Sequence, residues 1–323
     1  MKRTIAISLI LAAGITTLSS VHAADSDKVY RVGGEDRYET SALMSYEGWD
    51  TSKHAVLATG SSYPDALSAT PLAYQYDAPL LLTRTNALPA SIKDELLRLK
   101  VEKVFLIGGQ AAISGNVEST LSKMNIEVVR ISGNDRYETS VKIAETLDYN
   151  NDYVIASGQG FADALSIAPV AARLEAPILL TKKDEVPSVV ESYINETDFL
   201  QIPYIIGGKE VITDTAAKAI GNHERISGAD RYETNSEIVS EFADQGILDM
   251  DYPFIATGTD FPDALSASAL AAGSFNGVIL THPEKPKSVT VDMINKYSDL
   301  VAMYMITGGK SSVSDQAIDQ LIK

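Results

Sequence analysis

The chain contains no cysteine. Disulfide staples, thiol catalysis and thiolate metal sites are therefore excluded, and any exported form must hold together through its core. Histidine is scarce too. Beyond the first 23 residues only His54, His223 and His282 remain, at non-equivalent places and without H-x-x-x-H spacing, so the usual ligand set of a zinc hydrolase is missing. No G-x-S-x-G nucleophile turn occurs, and GGQAAIS (Gly108–Ser114) lacks the G-x-x-x-x-G-K-[ST] pattern of a nucleotide loop. The turns that follow the strands offer no Asp-x-Asp pair to hold magnesium. Neither a metal nor a cofactor is expected. Paired carboxylates for glycoside hydrolysis stay open, because a chain this acidic contains many candidates.

Positive charge is in deficit: 27 Lys and Arg stand against 43 Asp and Glu, for a formal net charge of −16. A negative field of that size argues against nucleic acid as a partner. Long apolar runs are absent after the N-terminus, so no later segment is a membrane-span candidate. Residues 1–23 read as a secretory signal peptide, with Lys2 and Arg3 at the start, a short apolar stretch from Ile5 to Ile15, and Val21-His22-Ala23 before the cut. Cleavage there removes Lys2 and Arg3 and brings the charge to −18.

What is present is repetition. RVGGEDRYETS at Arg31–Ser41 recurs as RISGNDRYETS at Arg130–Ser140 and RISGADRYETN at Arg225–Asn235, at intervals of 99 and 95 residues. That period suits a small domain and is too long for a solenoid. Further motifs recur in the same order: PDALS (Pro64–Ser68), ADALS (Ala162–Ser166) and PDALS (Pro262–Ser266); APLLLT, APILLT and GVILT; FLIGG, YIIGG and MITGG. In every copy the last Leu of the apolar run lies 17 residues after the Asp (Asp65 to Leu82, Asp163 to Leu180, Asp263 to Leu280). The expected modules are 24–125, 126–222 and 223–323.

The first module reads as an alternation of strands and helices. Val29–Val32 is a short strand, and Asp36 with Glu39 forms a capping-box-like pair opening a helix to about Tyr46. Ala55–Thr59, Pro79–Thr83 and Val104–Ile107 are apolar strands. Between and after them, helices start at Pro64, Pro89 and Ser114. This order predicts an α/β fold in which a mostly parallel sheet is covered by helices on both faces. Ligands of such sheets bind at the carboxyl ends of the strands, where the GG-x-DRYET, TGSSYPD and LIGG turns fall. The links between modules, Glu127–Arg130 and Asn222–Arg225, leave no flexible tether. The modules should therefore pack as one rigid body around a pseudo-threefold axis, and a strand could be donated between neighbours.

With DRYET, the PDALS-like turn, the APLLLT run and the IGG turn each in triplicate, the sequence from about Val29 to Lys323 resembles the cell wall binding repeat type 2 family of Gram-positive surface proteins. The resemblance implies three Toprim-like modules in a triangle. It also implies non-covalent attachment of an exported protein to an anionic secondary wall polymer of teichoic-acid type, with surface-layer proteins as a further candidate partner. The segments it implicates in binding are Leu80-Leu81-Leu82, Ile178-Leu179-Leu180 and the altered Val278-Ile279-Leu280. One helix, Ser314 to Ile322, follows the third IGG-like turn, so the expectation is a binding module standing alone.

Two readings compete at each candidate site. Arg37, Arg136 and Arg231 follow the capping Asp; they either meet a phosphate-bearing polymer from helix N-termini or weld neighbouring modules. Asp65, Asp163 and Asp263 either serve the helix dipole or bond sugar hydroxyls and hold an Arg. The Leu-rich runs are simplest as buried strands, with contact through the backbone near Thr83, Thr181 and Thr281 as the alternative. Tyr38, Tyr137 and Tyr232 either stack on sugars or pack into the core. The expected function is a secreted, non-catalytic wall-binding protein; a peptidoglycan hydrolase, amidase or amidase modifier, and a self-assembling surface-layer protein, are the alternatives. Triplication suits a polymer, because weak sites gain avidity when one chain spans several of them.

Overall fold

A computed structural model describes residues 28–149 and 152–322. The expected signal peptide, residues 1–23, lies outside the described residues. Among the described residues, twelve strands and twelve α-helices alternate. In the first copy these are β1 (Val29–Val32), α1 (Arg37–Gly48), β2 (His54–Thr59), α2 (Ala69–Gln75), β3 (Leu80–Thr83), α3 (Ala90–Leu99), β4 (Lys103–Ile107) and α4 (Gly115–Lys123). The second copy runs through β5 (Glu127–Ile131), α5 (Arg136–Ala144), β6 (Val154–Ser157), α6 (Ala162–Arg173), β7 (Ile178–Thr181), α7 (Ser188–Glu196), β8 (Tyr204–Ile206) and α8 (Asp214–Ile220). The third has β9 (Glu224–Ile226), α9 (Arg231–Asp244), β10 (Phe254–Thr257), α10 (Pro262–Gly273), β11 (Val278–Thr281), α11 (Ser288–Tyr297), β12 (Tyr304–Thr307) and α12 (Asp315–Leu321). The helix expected to start at Pro64 is split: a 3-10 turn, Ala66–Ser68, precedes α2.

Three four-stranded sheets result, with strand orders β3-β2-β4-β5, β7-β6-β8-β9 and β11-β10-β12-β1. All pairings are parallel. Each sheet takes its fourth strand from the next copy. Thus β5, which opens the second repeat, pairs with β4 in the register Lys103↔Glu127 to Ile107↔Ile131. The ring closes on itself, because β1 pairs with β12 from Val29↔Tyr304 to Val32↔Thr307. Sequence repeat and sheet are therefore offset by one strand.

Strands β3, β6, β7 and β11 are buried along their whole length, as their continuous apolar sequences require. Helices α2, α6 and α10 pack on one another at the centre. Helix α10 is buried along its whole length. Its sequence, PDALSASALAAG, is apolar or small all round, which is the pattern of a helix with no solvent face. The small side chains let the three helices approach closely. Thr70 and Ser268 share a buried 2.7 Å hydroxyl–hydroxyl hydrogen bond between the first and third copies.

At the carboxyl ends of the strands, Tyr63, Phe161 and Phe261 hold equivalent positions in the three copies. Their rings meet pairwise, with centroids 5.6, 5.7 and 6.5 Å apart. Three equivalent residues can all touch one another only on the pseudo-threefold axis, so this cluster marks it.

Candidate functional site

The DRYET phrase is a self-contained helix start. Asp36, Asp135 and Asp230 each cap their helix by accepting from the amides two and three residues on. The Glu three residues after each cap reaches back: Glu39, Glu138 and Glu233 accept from the amides of Glu35, Asn134 and Ala229 at 2.6–2.8 Å. Thr40, Thr139 and Thr234 take the amides of Gly34, Gly133 and Gly228. The residue after each Thr binds the apolar run, since Ser41, Ser140 and Asn235 accept from the amides of Leu82, Leu180 and Leu280. The tyrosines lie against Gly60, Gly158 and Gly258, where a Cβ would come within 2.7 Å of the ring. Tyr137 and Tyr232 are buried, while Tyr38 is half-buried with Arg84 over its ring.

The arginines differ from their neighbours in keeping part of themselves in solvent. Arg37, Arg136 and Arg231 each donate through Nη1 to the carbonyl of Gly60, Gly158 and Gly258, at the end of the adjoining strand. For Arg37 and Arg231 the rest of the guanidinium is turned toward the preceding copy around the ring. Arg37 lies 5.7 Å from the Phe261 ring centroid and Arg231 5.1 Å from that of Phe161. Arg37 and Arg136 are half-buried and Arg231 is exposed.

Facing the arginines are the DALS aspartates. Asp163 lies close enough to Arg231, and Asp263 to Arg37, for each guanidinium to lower the carboxyl's pKa. Burial outweighs that effect. It pushes Asp163 up to about 6, and it raises Asp263 as well, against the pull of a hydrogen bond from Ser312. Both carboxylates press on the Gly-Gly turn. Gly207 and Gly308 have φ of +107° and +97°, and an added Cβ would sit 2.5 and 2.1 Å from the aspartate Oδ2, so only glycine fits. Asp65 has the same place against Gly108, whose φ is also +107°.

Clefts form at the junctions. One of about 640 Å³ is lined by Asp163, Phe161, Gly208, Lys209 and Arg231, with Tyr63 from the first copy at its rim. Another of about 330 Å³ is lined by Asp263, Asp260, Gly309, Asp36 and Arg37. The structure thus brings Arg231 and Arg37 together with the aspartate and Gly-Gly turn of the preceding copy. It does not bring the apolar runs to the surface: Leu80, Leu81, Leu82, Ile178, Leu179, Leu180, Val278, Ile279 and Leu280 are all at most 2 % exposed. Thr83, Thr181 and Thr281 are buried, and their carbonyls already accept from Gly60, Gly158 and Gly258.

The first arginine of each phrase was not singled out in the sequence. Arg31, Arg130 and Arg225 donate through Nη1 to the carbonyls of Gly308, Gly108 and Gly207, at 3.0, 2.6 and 2.6 Å. They weld the donated strand to the Gly-Gly turn of its neighbour. Their threefold recurrence was visible, but their partner depends on the strand exchange. The histidines do not converge. His54 packs on Tyr76 and Phe105, the His223 ring meets the Gly221 carbonyl, and His282 Nδ1 accepts from two amides of its own loop. Among the described residues, no group of three or more His, Asp or Glu side chains is arranged to hold a metal ion.

The family model described as Cell wall binding domain 2 (CWB2) matches residues 31–118, 130–217 and 225–318. The chain belongs to the cell wall binding domain 2 family. Two curated relatives come from Bacillus subtilis. N-acetylmuramoyl-L-alanine amidase LytC is 33 % identical over 93 % of this chain and 59 % of its own length. Amidase enhancer is 30 % identical over 90 % of this chain and 40 % of its own. The chain thus spans about half the length of the curated relatives it matches. Among solved structures, Cwp6 from Clostridium difficile superposes with a TM-score of 0.82 at 30 % identity, over 91 % of this chain and 48 % of that one. Cwp8 from the same organism gives 0.82 at 26 % identity, over 91 % and 51 %. All three copies seen in the sequence are matched as cell wall binding domains. Among the described residues, no helix is long and apolar enough to cross a membrane.

Proposed function

We propose that the three CWB2 copies form a non-catalytic anchor, secreted to the cell surface, that grips an anionic secondary wall polymer of teichoic-acid type in the clefts between copies. The observation that carries this reading is the repeated arginine. One Nη of each of Arg37, Arg136 and Arg231 is fixed to a strand-end carbonyl, which orients the fork, and the remainder stays within reach of solvent. A planar donor held in this way suits a phosphate or carboxylate. It also places cations locally on a protein whose overall charge is −16.

The aspartates Asp65, Asp163 and Asp263 position the Gly-Gly turns and polarise the arginines. Where they border a cleft they can accept from sugar hydroxyls. The buried apolar runs support the site from beneath through the Ser41, Ser140 and Asn235 bonds. Their role in binding is to fix the strand ends, not to touch the polymer.

The test uses wall sacculi with and without acid-extractable polymer, probed with residues 24–323. Retention on polymer-bearing walls alone is expected. A folded Arg37→Gln/Arg136→Gln/Arg231→Gln triple variant should be released from them, with the Arg136→Gln and Arg231→Gln single variants weakened modestly. Equal binding to stripped walls would instead favour peptidoglycan as the ligand and the hydrolase or amidase-modifier reading. No binding to either, with ordered self-assembly, would favour a surface-layer role.

A further inference from the structure

The three arginines hold equivalent positions, yet one residue makes their surroundings electrically different. Two residues before each cleft-facing Pro or Ala stands Ser62 in the first copy, Gly160 in the second and Asp260 in the third. Asp260 Oδ2 lies 3.3 Å from Arg37 Nη2, and its Oδ1 accepts from the Phe261 amide at 2.9 Å, so the carboxylate is held in place against the guanidinium. Among the described residues, neither Arg136 nor Arg231 has a carboxylate in ion-pair range. Arg231 is also exposed, whereas the Arg37 side chain is 37 % exposed.

The surrounding charge points the same way. The cleft of Arg37 is lined by four carboxylates, from Glu35, Asp36, Asp260 and Asp263, against that single guanidinium. The cleft of Arg231 has three, from Asp163, Glu210 and Asp230, against Arg231 and Lys209, with Lys209 also paired to Asp214. It is the roomier of the two, at about 640 against about 330 Å³.

Resting on the reading above that the clefts take an anionic polymer, we propose that the copies are specialised: the Arg231 cleft is an anion subsite, and Asp260 is a specificity-determining residue that withdraws Arg37 from anion binding. An incoming phosphate at Arg37 must displace a carboxylate already hydrogen-bonded there and approach its negative charge. At Arg231 no ion-paired carboxylate has to be displaced. The polymer therefore engages the Arg231 junction and leaves the one where β1 closes onto β12 outside its track.

Inorganic polyphosphate serves as the probe, titrated calorimetrically into residues 24–323 at fixed, low salt. Asp260→Asn keeps the acceptor for the Phe261 amide and removes the charge; it should tighten binding about two- to fivefold, the range of an exposed ion pair. The gain should vanish when Arg37→Gln is also present. Gly160→Asp installs the third copy's charge in the second. Nothing lies within 4 Å of a Cβ there, so the side chain fits. It should weaken binding by a similar factor, whereas Gly160→Asn should not. An unchanged affinity in Asp260→Asn overturns the proposal, as does the same gain in the Arg37→Gln background, which would mark a general charge effect. Absence of saturable polyphosphate binding by the unaltered protein overturns it too. Failure of the unaltered protein to prefer polymer-bearing sacculi over stripped ones is a separate outcome. It would overturn the wall-polymer reading while the polyphosphate titration still decides the inequality of the clefts.

Discussion

Burial pushes the Asp163 carboxyl to about 6 from its ordinary 3.8, and the sign of the consequence is fixed by linkage. Between those two values the native state holds a proton that the unfolded chain has released. The contribution of Asp163 to stability is therefore greatest below 3.8 and is lost as pH rises through about 6. The full difference corresponds to ~3 kcal/mol at neutral pH as an upper value. Asp163→Asn should accordingly leave the protein as stable or more stable at pH 7 and flatten the urea midpoint between pH 4 and 7; an unaltered pH profile would refute the assignment. A second residue-scale prediction concerns Ser140, which takes the otherwise orphaned Leu180 amide at 3.1 Å inside the core. Ser140→Ala should cost ~1–3 kcal/mol in urea unfolding. A cost below 0.5 kcal/mol, roughly the noise of such comparisons, would show that the amide finds another partner. The capping Asp, the back-reaching Glu and the place of the arginines at helix starts were legible in the sequence, because capping is local chemistry. Which carbonyl each arginine holds, and that Asp260 faces Arg37 from another copy, was not. The second of these contacts joins residues 223 positions apart.

At the scale of elements, the strand donation explains why the links between copies are so short. Chain 127–131 is itself a ladder partner of β4, so it has no freedom to act as a tether. The sequence pattern identified the strands and their parallel pairing, since apolar runs separated by helices admit little else. The offset between repeat and sheet was only an open possibility, because the pattern is identical whichever neighbour takes the edge strand. Arg31 shows what decides it: its guanidinium reaches the Gly308 and Val313 carbonyls and Asp315, all in the third copy. The exchange makes a test at a distance in sequence. Removing residues up to Val32 should expose the edge of β12, and hydrogen exchange at Tyr304–Thr307 should speed by about a hundredfold. That figure corresponds to about three backbone bonds at ~1 kcal/mol each. Strands β2 and β3, nearer in sequence to the deletion, should keep their protection. Loss centred on β2 and β3 would contradict the ring.

For the whole molecule, cyclic exchange removes any place at which one copy could unfold alone. Each sheet loses a strand if its neighbour opens, and each central helix loses two partners. The aromatic contacts of Tyr63, Phe161 and Phe261 add a junction that requires all three copies at once. Such a ring should unfold as one unit despite a length that would ordinarily support several independent domains. The single tryptophan makes this measurable. Trp49 is buried in the first copy, with its indole N–H donating to the Asp77 carbonyl at 2.9 Å, so its fluorescence reports that copy. Ile205→Ala removes a fully buried side chain from β8, in the second copy, and should cost ~2–5 kcal/mol. If the ring is cooperative, the Trp49 fluorescence midpoint in urea falls by the same amount as the far-ultraviolet circular dichroism midpoint, and the two transitions stay superimposed. A Trp49 midpoint that does not move while the dichroism splits into two steps would mean that the copies are stable separately. Rigid registration of the clefts, on which simultaneous gripping of one polymer depends, would then lose its structural basis.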